Sequence, residues 1–248
     1  MGKSGGPITK DDTGVEYYGT VFALAESPLR EGVMWAGSDD GRLHVTRDGG
    51  DSWADVTPAG LPEWAMINSI DADPFAPGGA YVAATRYKLD DFTPYLFHTE
   101  NWGRTWKRID RGIPRSHFTR ALRADPGRQG LLYAGTERGA YYSADNGRSW
   151  QPLQLNLPQV PITDLYVQQD DLVVSTQGRS LWILDDVTPL HQIMDGLPRS
   201  RPVLLTPRDR VRDISNGYPD NGPGENPPPG VQVHYLLGED SSEPVQFE

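Results

Sequence analysis

The amino-acid sequence predicts an all-β protein built from repeated units of four short strands. An octapeptide of the form Ser/Thr-x-Asp/Asn-x-Gly-x-Ser/Thr-Trp occurs at residues 46–53, 99–106 and 143–150. Short runs rich in β-branched and aromatic residues, bounded by turn residues, fill most of the chain around these octapeptides. Gly (27 residues) and Pro (22 residues) are abundant, which favours many turns over long helices.

The residue types of the octapeptide predict a self-bonded turn. An Asp or Asn side chain accepts hydrogen bonds from nearby backbone N–H groups, and the Gly two places later can adopt a positive φ. The Trp that closes the octapeptide is expected to be anchored in the core of its own sheet. We therefore predict a structural, non-catalytic role for Asp48, Gly50, Trp53, Asn101, Gly103, Trp106, Asp145, Gly147 and Trp150.

The repeats also predict how the chain is organised. Residues 1–16 read as a lead-in, and residues 17–195 as four units with boundaries at 17–60, 61–112, 113–156 and 157–190. The fourth unit lacks the Gly and Trp of the octapeptide. Repeated four-stranded sheets at this spacing are typical of the blades of a β-propeller. Because four blades is the lower limit for ring closure, we favour part of a larger ring over a complete one.

Beyond the repeats the composition changes. Residues 196–230 are expected to contain one strand and a Pro/Gly-rich linker. Residues 231–248 alternate apolar and polar side chains at first, and they are expected to begin a truncated, β-sandwich-like domain.

The octapeptide resembles a known repeat. It is similar to the Asp-box, or BNR repeat, of sialidase-like, sortilin-like and xyloglucanase-like β-propellers. The phrases Ala-Thr-Arg-Tyr-Lys-Leu-Asp-Asp at 84–91 and Gly-Arg-Ser-Leu-Trp-Ile-Leu-Asp-Asp at 178–186 resemble large secreted bacterial BNR-repeat proteins, often labelled glycosyl hydrolase or sortilin-like. The resemblance covers about residues 5–195. It implies one segment of such a protein, located in the periplasm or outside the cell, although this chain shows no signal peptide.

Composition excludes several classes of function. The net charge of −11 disfavours nucleic acid and anionic membrane surfaces as partners. No apolar run reaches the roughly 20 residues that cross a bilayer, so no membrane insertion is expected. The chain has no Cys, its five His are scattered, and its Asp doublets match no calcium-loop spacing. We therefore expect neither a metal site nor a cofactor.

A ligand site is predicted on one face of the propeller. In an antiparallel blade, the turns between strands 2 and 3 lie at the same end as the links between blades, and the octapeptides lie at the opposite end. The second unit carries an insertion of about six residues in its strand 2–3 turn, within residues 87–94. Loops on a rigid scaffold commonly carry function. The predicted ligand-binding residues on this face are Trp64, Arg86, Tyr87, Lys88, His117, Phe118 and Arg179.

Two functions remain open from the sequence. The first is a binding or scaffold module for a peptide, a protein or a glycan, with the remaining blades supplied by a longer chain or a second copy. The alternative is a glycosidase-like hydrolase of polysaccharides, which needs two carboxyl groups on opposite sides of a sugar bond. The candidate acids are Asp39, Asp90, Asp91 and Glu137. Each also has a plain explanation as a turn-capping or solubilising residue.

Overall fold

A computed structural model describes residues 19–198, 201–209 and 230–237. It confirms the prediction of an all-β fold with repeated four-stranded antiparallel sheets. The predicted lead-in, most of the linker after residue 209 and the last eleven residues lie outside the described residues.

Four consecutive sheets, which we call blades 1 to 4, make up the described chain from residue 19 to residue 184. Blade 1 contains β1 (Val21–Glu26), β2 (Met34–Ser38), β3 (Leu43–Thr46) and β4 (Ala54–Asp55). Blade 2 contains β5 (Met66–Ala72), β6 (Ala80–Arg86), β7 (Asp91–Thr99) and β8 (Lys107–Arg108). Blade 3 contains β9 (Thr119–Ala124), β10 (Leu132–Thr136), β11 (Gly139–Ser143) and β12 (Gln151–Pro152). Blade 4, in the described part of the chain, contains β13 (Ile162–Gln168), β14 (Asp171–Thr176) and β15 (Leu181–Leu184).

The blades pack face to face through apolar side chains. The first strands of successive blades lie beside one another in the order β1, β5, β9, β13. One core lies between blades 1 and 2 and includes Trp35 and Phe97. A second core lies between blades 2 and 3 and includes Leu96 and Leu122. Blade 2 therefore has a core on each face of its sheet, and every residue of β10 in blade 3 is buried.

The octapeptides form closely similar turns. The Oδ1 atom of Asp48, Asn101 and Asp145 accepts the backbone N–H four residues later, at 3.0, 3.0 and 2.9 Å. The Gly in each turn has a positive φ, and its N–H donates to the hydroxyl that opens the octapeptide. Asn101 differs from the two Asp residues because its Nδ2 donates to Thr105 Oγ1 at 2.8 Å.

The closing tryptophans differ from the expectation that each is held in its own sheet. The Trp106 indole N–H donates to the carbonyl of Val56 in blade 1, at 2.7 Å. The Trp150 indole N–H likewise donates to the carbonyl of Ile109 in blade 2. Trp150 is only 4% exposed, whereas Trp53 in blade 1 is 41% exposed. The octapeptide tryptophans of blades 2 and 3 thus pack on the preceding blade.

The residues from Leu184 onward form a second compact unit. It contains a short helix, α1 (Thr188–Ile193), and an antiparallel pair made of β16 (Val203–Leu204) and β17 (Tyr235–Leu236). The single strand expected after residue 196 is thus only two residues long in the described chain. The β-sandwich-like domain expected at 231–248 stays a prediction.

Candidate functional site

The insertion in blade 2 extends a hairpin rather than forming a free loop. Strand β6 ends at Arg86, residues Tyr87–Leu89 form a 3-10 turn, and β7 begins at Asp91. Asp90 closes this turn with a φ of 58°, and its N–H donates to the Tyr87 carbonyl at 3.0 Å. Arg86 and Asp91 are partners in the strand register. The insertion is therefore ordered by backbone pairing and projects from blade 2.

Four side chains from blades 2 and 3 form what we call the aromatic cluster: Tyr87, Phe92, Phe118 and Arg120. Tyr87 stacks on Phe118 with ring centroids 4.9 Å apart and an interplanar angle of 14°. Phe92 tilts against Phe118 at 6.1 Å and is 47% exposed. The Arg120 guanidinium lies 5.1 Å from the Phe118 ring and 5.7 Å from the Tyr87 ring. Buried Phe118 thus supports two more accessible rings.

Ion pairs surround the aromatic cluster. Arg120 binds Glu137 Oε2 through both Nε (2.8 Å) and Nη2 (2.7 Å). Arg86 pairs with Asp91 at 3.7 Å. Burial alone raises the pKa of Asp91, but hydrogen bonds from Tyr95 and Thr93 and the Arg86 charge outweigh it, and the net pKa is lowered. Asp91 is therefore held as a carboxylate, which is unsuited to a general acid.

A groove of about 510 Å³ lies on the same face and is lined by blade 1 and its link to blade 2. Asp40, Arg42, Glu63 and Trp64 are among the residues that line it. Trp64 has a φ of 64°, which is unusual for a bulky side chain. Arg86 donates from Nε to the Glu63 carbonyl at 3.0 Å and so joins this groove to the aromatic cluster. The groove and the aromatic cluster therefore lie on the same face, with Arg86 between them.

The remaining predicted ligand residues divide into two groups. Lys88 is exposed in the 3-10 turn beside Tyr87. His117 precedes Phe118, and its Nδ1 lies 2.8 Å from the Tyr141 hydroxyl. Burial, and secondarily the Arg138 charge, lower the pKa of His117, so its neutral form is favoured. Arg179, by contrast, is exposed in the strand 2–3 turn of blade 4, outside the aromatic cluster.

The four candidate acids do not form a free carboxyl pair. Asp39 Oδ1 accepts the N–H groups of Gly19 and Thr20, at 2.8 and 3.0 Å. Glu137 is held by Arg120, and Asp91 by Arg86 and Tyr95. Asp90 ends the 3-10 turn. Structural interactions thus account for the side chains of Asp39, Asp91 and Glu137 and for the backbone of Asp90.

The ligand-binding residues predicted from the sequence did not include Phe92 and Arg120. Arg120 lies two residues after Phe118, and alternate residues of a strand share a face. This two-residue spacing in the sequence could have indicated that Arg120 lies beside Phe118. Phe92 lies inside the insertion, but the sequence alone does not show that the hairpin folds toward Phe118.

A polar network between the first strands of the blades was also unexpected. Arg123 in β9 donates to Ser69 in β5 and, from Nη2, to Asp164 in β13 at 2.7 Å. Nearby Asp71 accepts the Ala124 N–H at 2.7 Å. Burial raises the pKa of Asp71 to about 6, against the opposing effects of the Ala124 N–H and the Arg123 charge. This network joins blades 2, 3 and 4.

Solved structures similar to this chain are β-propeller proteins. YCF48 bound to D1 peptide matches with a TM-score of 0.51 and 19% identity over 67% of this chain and 51% of that chain. The GH74 xyloglucanase from Xanthomonas campestris matches with a TM-score of 0.52 and 21% identity over 67% of this chain and 29% of that chain. An ancestral GH74 enzyme matches with a TM-score of 0.51 and 21% identity, over 64% of this chain and 22% of that chain. At these identities the likeness establishes the fold alone.

The matched region is about half of the YCF48 chain and less than a third of each GH74 chain. No protein-family model matches the sequence, and no curated protein matches it. Among the described residues, no helix is both long and apolar enough to cross a membrane.

Proposed function

We propose that this chain is a binding module that holds a peptide or protein segment on the surface formed by the aromatic cluster and the Trp64 groove. The observation that carries the proposal is the aromatic cluster itself. Phe92 is about half exposed and lies against Phe118, and the Tyr87 ring stacks on the same residue. Supported aromatic side chains beside an Arg are the residue types that dominate protein-recognition surfaces.

The ordering of this surface favours binding. Arg120 and Arg86 are each held by a carboxylate, so little side-chain freedom remains to be lost when a ligand arrives. The ion pairs also leave the cluster close to neutral, which suits a ligand with apolar or aromatic side chains. One similar propeller, YCF48, is described as bound to a peptide, and this agrees with the proposal at the level of the fold.

The glycosidase alternative has less support. It requires one carboxylic acid that keeps its proton, and the pKa of Asp91 is lowered instead. Asp39 and Glu137 already have backbone or guanidinium partners. The similar GH74 enzymes support the fold, and we do not transfer their activity.

The wider identity that we propose is a BNR or Asp-box segment of a secreted protein. The self-bonded octapeptide turns agree with that repeat, because hydroxyl, carboxylate and Gly positions bond as its pattern requires. A periplasmic or extracellular location belongs to the same proposal.

The test is a selection of binding partners followed by matched substitutions. Immobilised protein is offered a displayed library of peptides of about 12 residues and, separately, an array of oligosaccharides. We expect peptides with at least one aromatic or large aliphatic residue to be recovered. Phe92→Ala should weaken their binding by at least about tenfold, the scale of one interface anchor. The matched control is Phe75→Ala, which removes another exposed Phe (38%) in the turn after β5, at the opposite end of blade 2.

Three outcomes would contradict the proposal. If the protein bound oligosaccharides on the array and no peptide from the library, its ligand would be a glycan rather than a peptide. Release of sugar from a polysaccharide, lost in Glu137→Gln, would favour the hydrolase. Equal effects of Phe92→Ala and Phe75→Ala on peptide affinity would place the binding surface elsewhere. Circular dichroism and thermal unfolding of each variant would show that the fold is retained.

A further inference from the structure

We infer that the outer face of blade 1 is a docking surface for another complete, four-stranded blade of the same repeat type. This surface, which we call the outer face, contains Phe22 and Leu24 in β1, Ala36 in β2, His44 in β3 and Trp53. It is distinct from the aromatic cluster and does not depend on the proposed function.

The strand register identifies the outer face as half of a blade interface. In blade 1, Leu24 of the first strand pairs with Ala36 of the second strand. The equivalent pairs in blades 2, 3 and 4 are Ile70 with Val82, Leu122 with Ala134, and Leu165 with Val174. Ile70, Leu122 and Leu165 are 6%, 0% and 1% exposed, because each packs on the blade before it. Leu24 is 64% exposed, and Phe22 beside it is 57% exposed. Blade 1 therefore carries the side chain of a buried interface without a covering blade among the described residues.

The octapeptide of blade 1 gives an independent indication. In blades 2 and 3 the octapeptide Gly lies against the preceding blade. An added Cβ would come within 2.5 Å of Val56 at Gly103 and 2.8 Å of Ile109 at Gly147. At Gly50 the nearest atoms are at 3.8 Å or more and belong to Met34 and Trp53 of its own blade. The Trp53 ring is correspondingly exposed, and it lines a groove of about 510 Å³ with Ala36 and His44.

The interfaces between blades 1 and 2 and between blades 2 and 3 indicate which groups a blade that covers the outer face must offer. Val56 and Ile109 follow the fourth strand of their blades, and their N–H groups donate to the strand 3 carbonyls of Leu43 and Leu96, at 2.8 and 2.9 Å. Their own carbonyls accept the indole N–H of the next blade. The partner must therefore offer an apolar sheet face, an aliphatic residue after its fourth strand, and the carbonyl of that residue.

The described residues of a second copy of this chain match only part of this description. Its outermost blade would be blade 4, whose β15 exposes Leu181 (69%) and Ile183 (57%). That face could cover Leu24. However, blade 4 has three strands among the described residues, and none of these residues follows a fourth strand as Val56 and Ile109 do. A complete blade offers both an apolar face to cover Leu24 and a carbonyl to accept the Trp53 N–H.

The experiment supplies such a blade. Residues 1–20 are replaced by a duplicate of residues 66–118, which is blade 2 with its own link to the next blade. This fusion brings the duplicate to Val21, which occupies the register position of Thr119 in blade 3. A second fusion uses a duplicate of residues 119–161, which is blade 3 with its link. The reporter is 19F NMR of 5-fluorotryptophan-labelled protein, with the Trp53 signal assigned through Trp53→Phe.

We expect both fusions to raise the melting temperature by at least about 4 °C. The Trp53 signal should shift and lose its sensitivity to a soluble paramagnetic quencher. Trp53→Ala should lower the melting temperature of a fusion about as much as Trp150→Ala does, and by clearly more than it lowers that of the original chain. A duplicate carrying Ile109→Asp, or the matching Leu153→Asp, serves as the control and should not protect Trp53.

Several results would overturn the inference. If neither fusion changes the melting temperature or the Trp53 signal, the outer face does not accept a blade. If the original chain self-associates at micromolar concentration with Trp53 protected, the occupant is a second copy. If Trp53 is protected in the original monomer and removal of residues 1–16 exposes it, the occupant is the lead-in.

Discussion

The inner and outer blades of this chain use the same strands and turns but differ in how much of them is buried. Blade 2 contributes side chains to a core on each face, and β10 in blade 3 is buried throughout. Blade 1, by contrast, exposes Leu24, and blade 4 exposes Leu181 and Ile183. Leu43 in blade 1 follows the same strand 2–3 turn position as Leu181 in blade 4, yet it is fully buried because blade 2 covers it. The neighbouring blade, rather than the residue's own sheet, decides burial in this fold.

The octapeptides of blades 1 and 3 have similar sequences, yet their tryptophans also differ in burial. The hydrogen bonds inside the turn are alike in blades 1 and 3, with Asp Oδ1 accepting a Ser N–H at 3.0 and 2.9 Å. Trp150 nevertheless has an acceptor on the preceding blade, while Trp53 is 41% exposed. The turn is thus a local structure, and its tryptophan is an interblade contact.

The largest expected effect separates these two tryptophans. Trp150→Ala removes a buried ring and its hydrogen bond to Ile109, and should lower the free energy of unfolding by about 3–5 kcal/mol. Trp53→Ala should cost clearly less than Trp150→Ala, because Trp53 is 41% exposed and Trp150 only 4%. Urea unfolding followed by circular dichroism measures both. Equal losses would break the distinction between inner and outer blades.

The paired leucines should show a smaller difference of the same kind. Leu122→Ala leaves a cavity in the core between blades 2 and 3 and should cost about 2–4 kcal/mol. Leu24→Ala, at the equivalent register position in blade 1, should change stability by less than about 0.5 kcal/mol. The comparison uses the same unfolding assay. A large loss for Leu24→Ala would indicate that the described surface is covered in solution.

The network between blades 2 and 3 should give stability a distinctive pH dependence. Asp71 keeps its proton up to a pKa of about 6, whereas in the unfolded chain an Asp loses it near pH 4. The folded state therefore binds more protons between about pH 4 and 6, and its stability should fall as pH rises through that range. Asp71→Asn retains an oxygen for the Ala124 N–H and should flatten this fall. Unfolding measured from pH 4 to 7 tests this prediction, with Asp51→Asn as a control at an exposed Asp. An unchanged slope in Asp71→Asn would contradict the assignment.

The smallest effect is expected within a single turn. Asp145→Ala removes the acceptor of the Ser149 N–H and should cost about 1 kcal/mol, as loss of a helix cap does. Asp145→Asn should be nearly neutral, because blade 2 already uses Asn101 at this position with Thr105 as its partner. Thermal unfolding at neutral pH compares the two variants. If Asn were as harmful as Ala, the charge rather than the hydrogen bond would stabilise the turn.

The sequence predicts the local features well because they depend on neighbouring residues. The all-β class follows from the spacing of the octapeptides and the β-type runs between them. The turn bonds of Asp48 and Gly50 follow from side-chain chemistry within eight residues. The insertion in blade 2 is visible as extra length between two repeated positions.

Features that depend on distant contacts were less accessible. Leu24 and Leu122 have the same local pattern, so their different exposure cannot be read from either strand. Tyr87 and Phe118 were both predicted to bind ligand, but their stacking depends on how far the hairpin leans toward blade 3. Asp91 was a candidate acid until its partners Arg86 and Tyr95 were located around it.

The indole-to-carbonyl bond between blades has an evolutionary consequence. Each complete blade carries a donor, the tryptophan of its octapeptide, and the two observed acceptors are the carbonyls of Val56 and Ile109 after the fourth strand. A gene segment encoding one blade therefore encodes both halves of the joint. Tandem duplication or loss of such a segment changes the number of blades while every new junction inherits a working donor and acceptor. The joint makes blade number an easily varied trait, independent of the loops that carry binding.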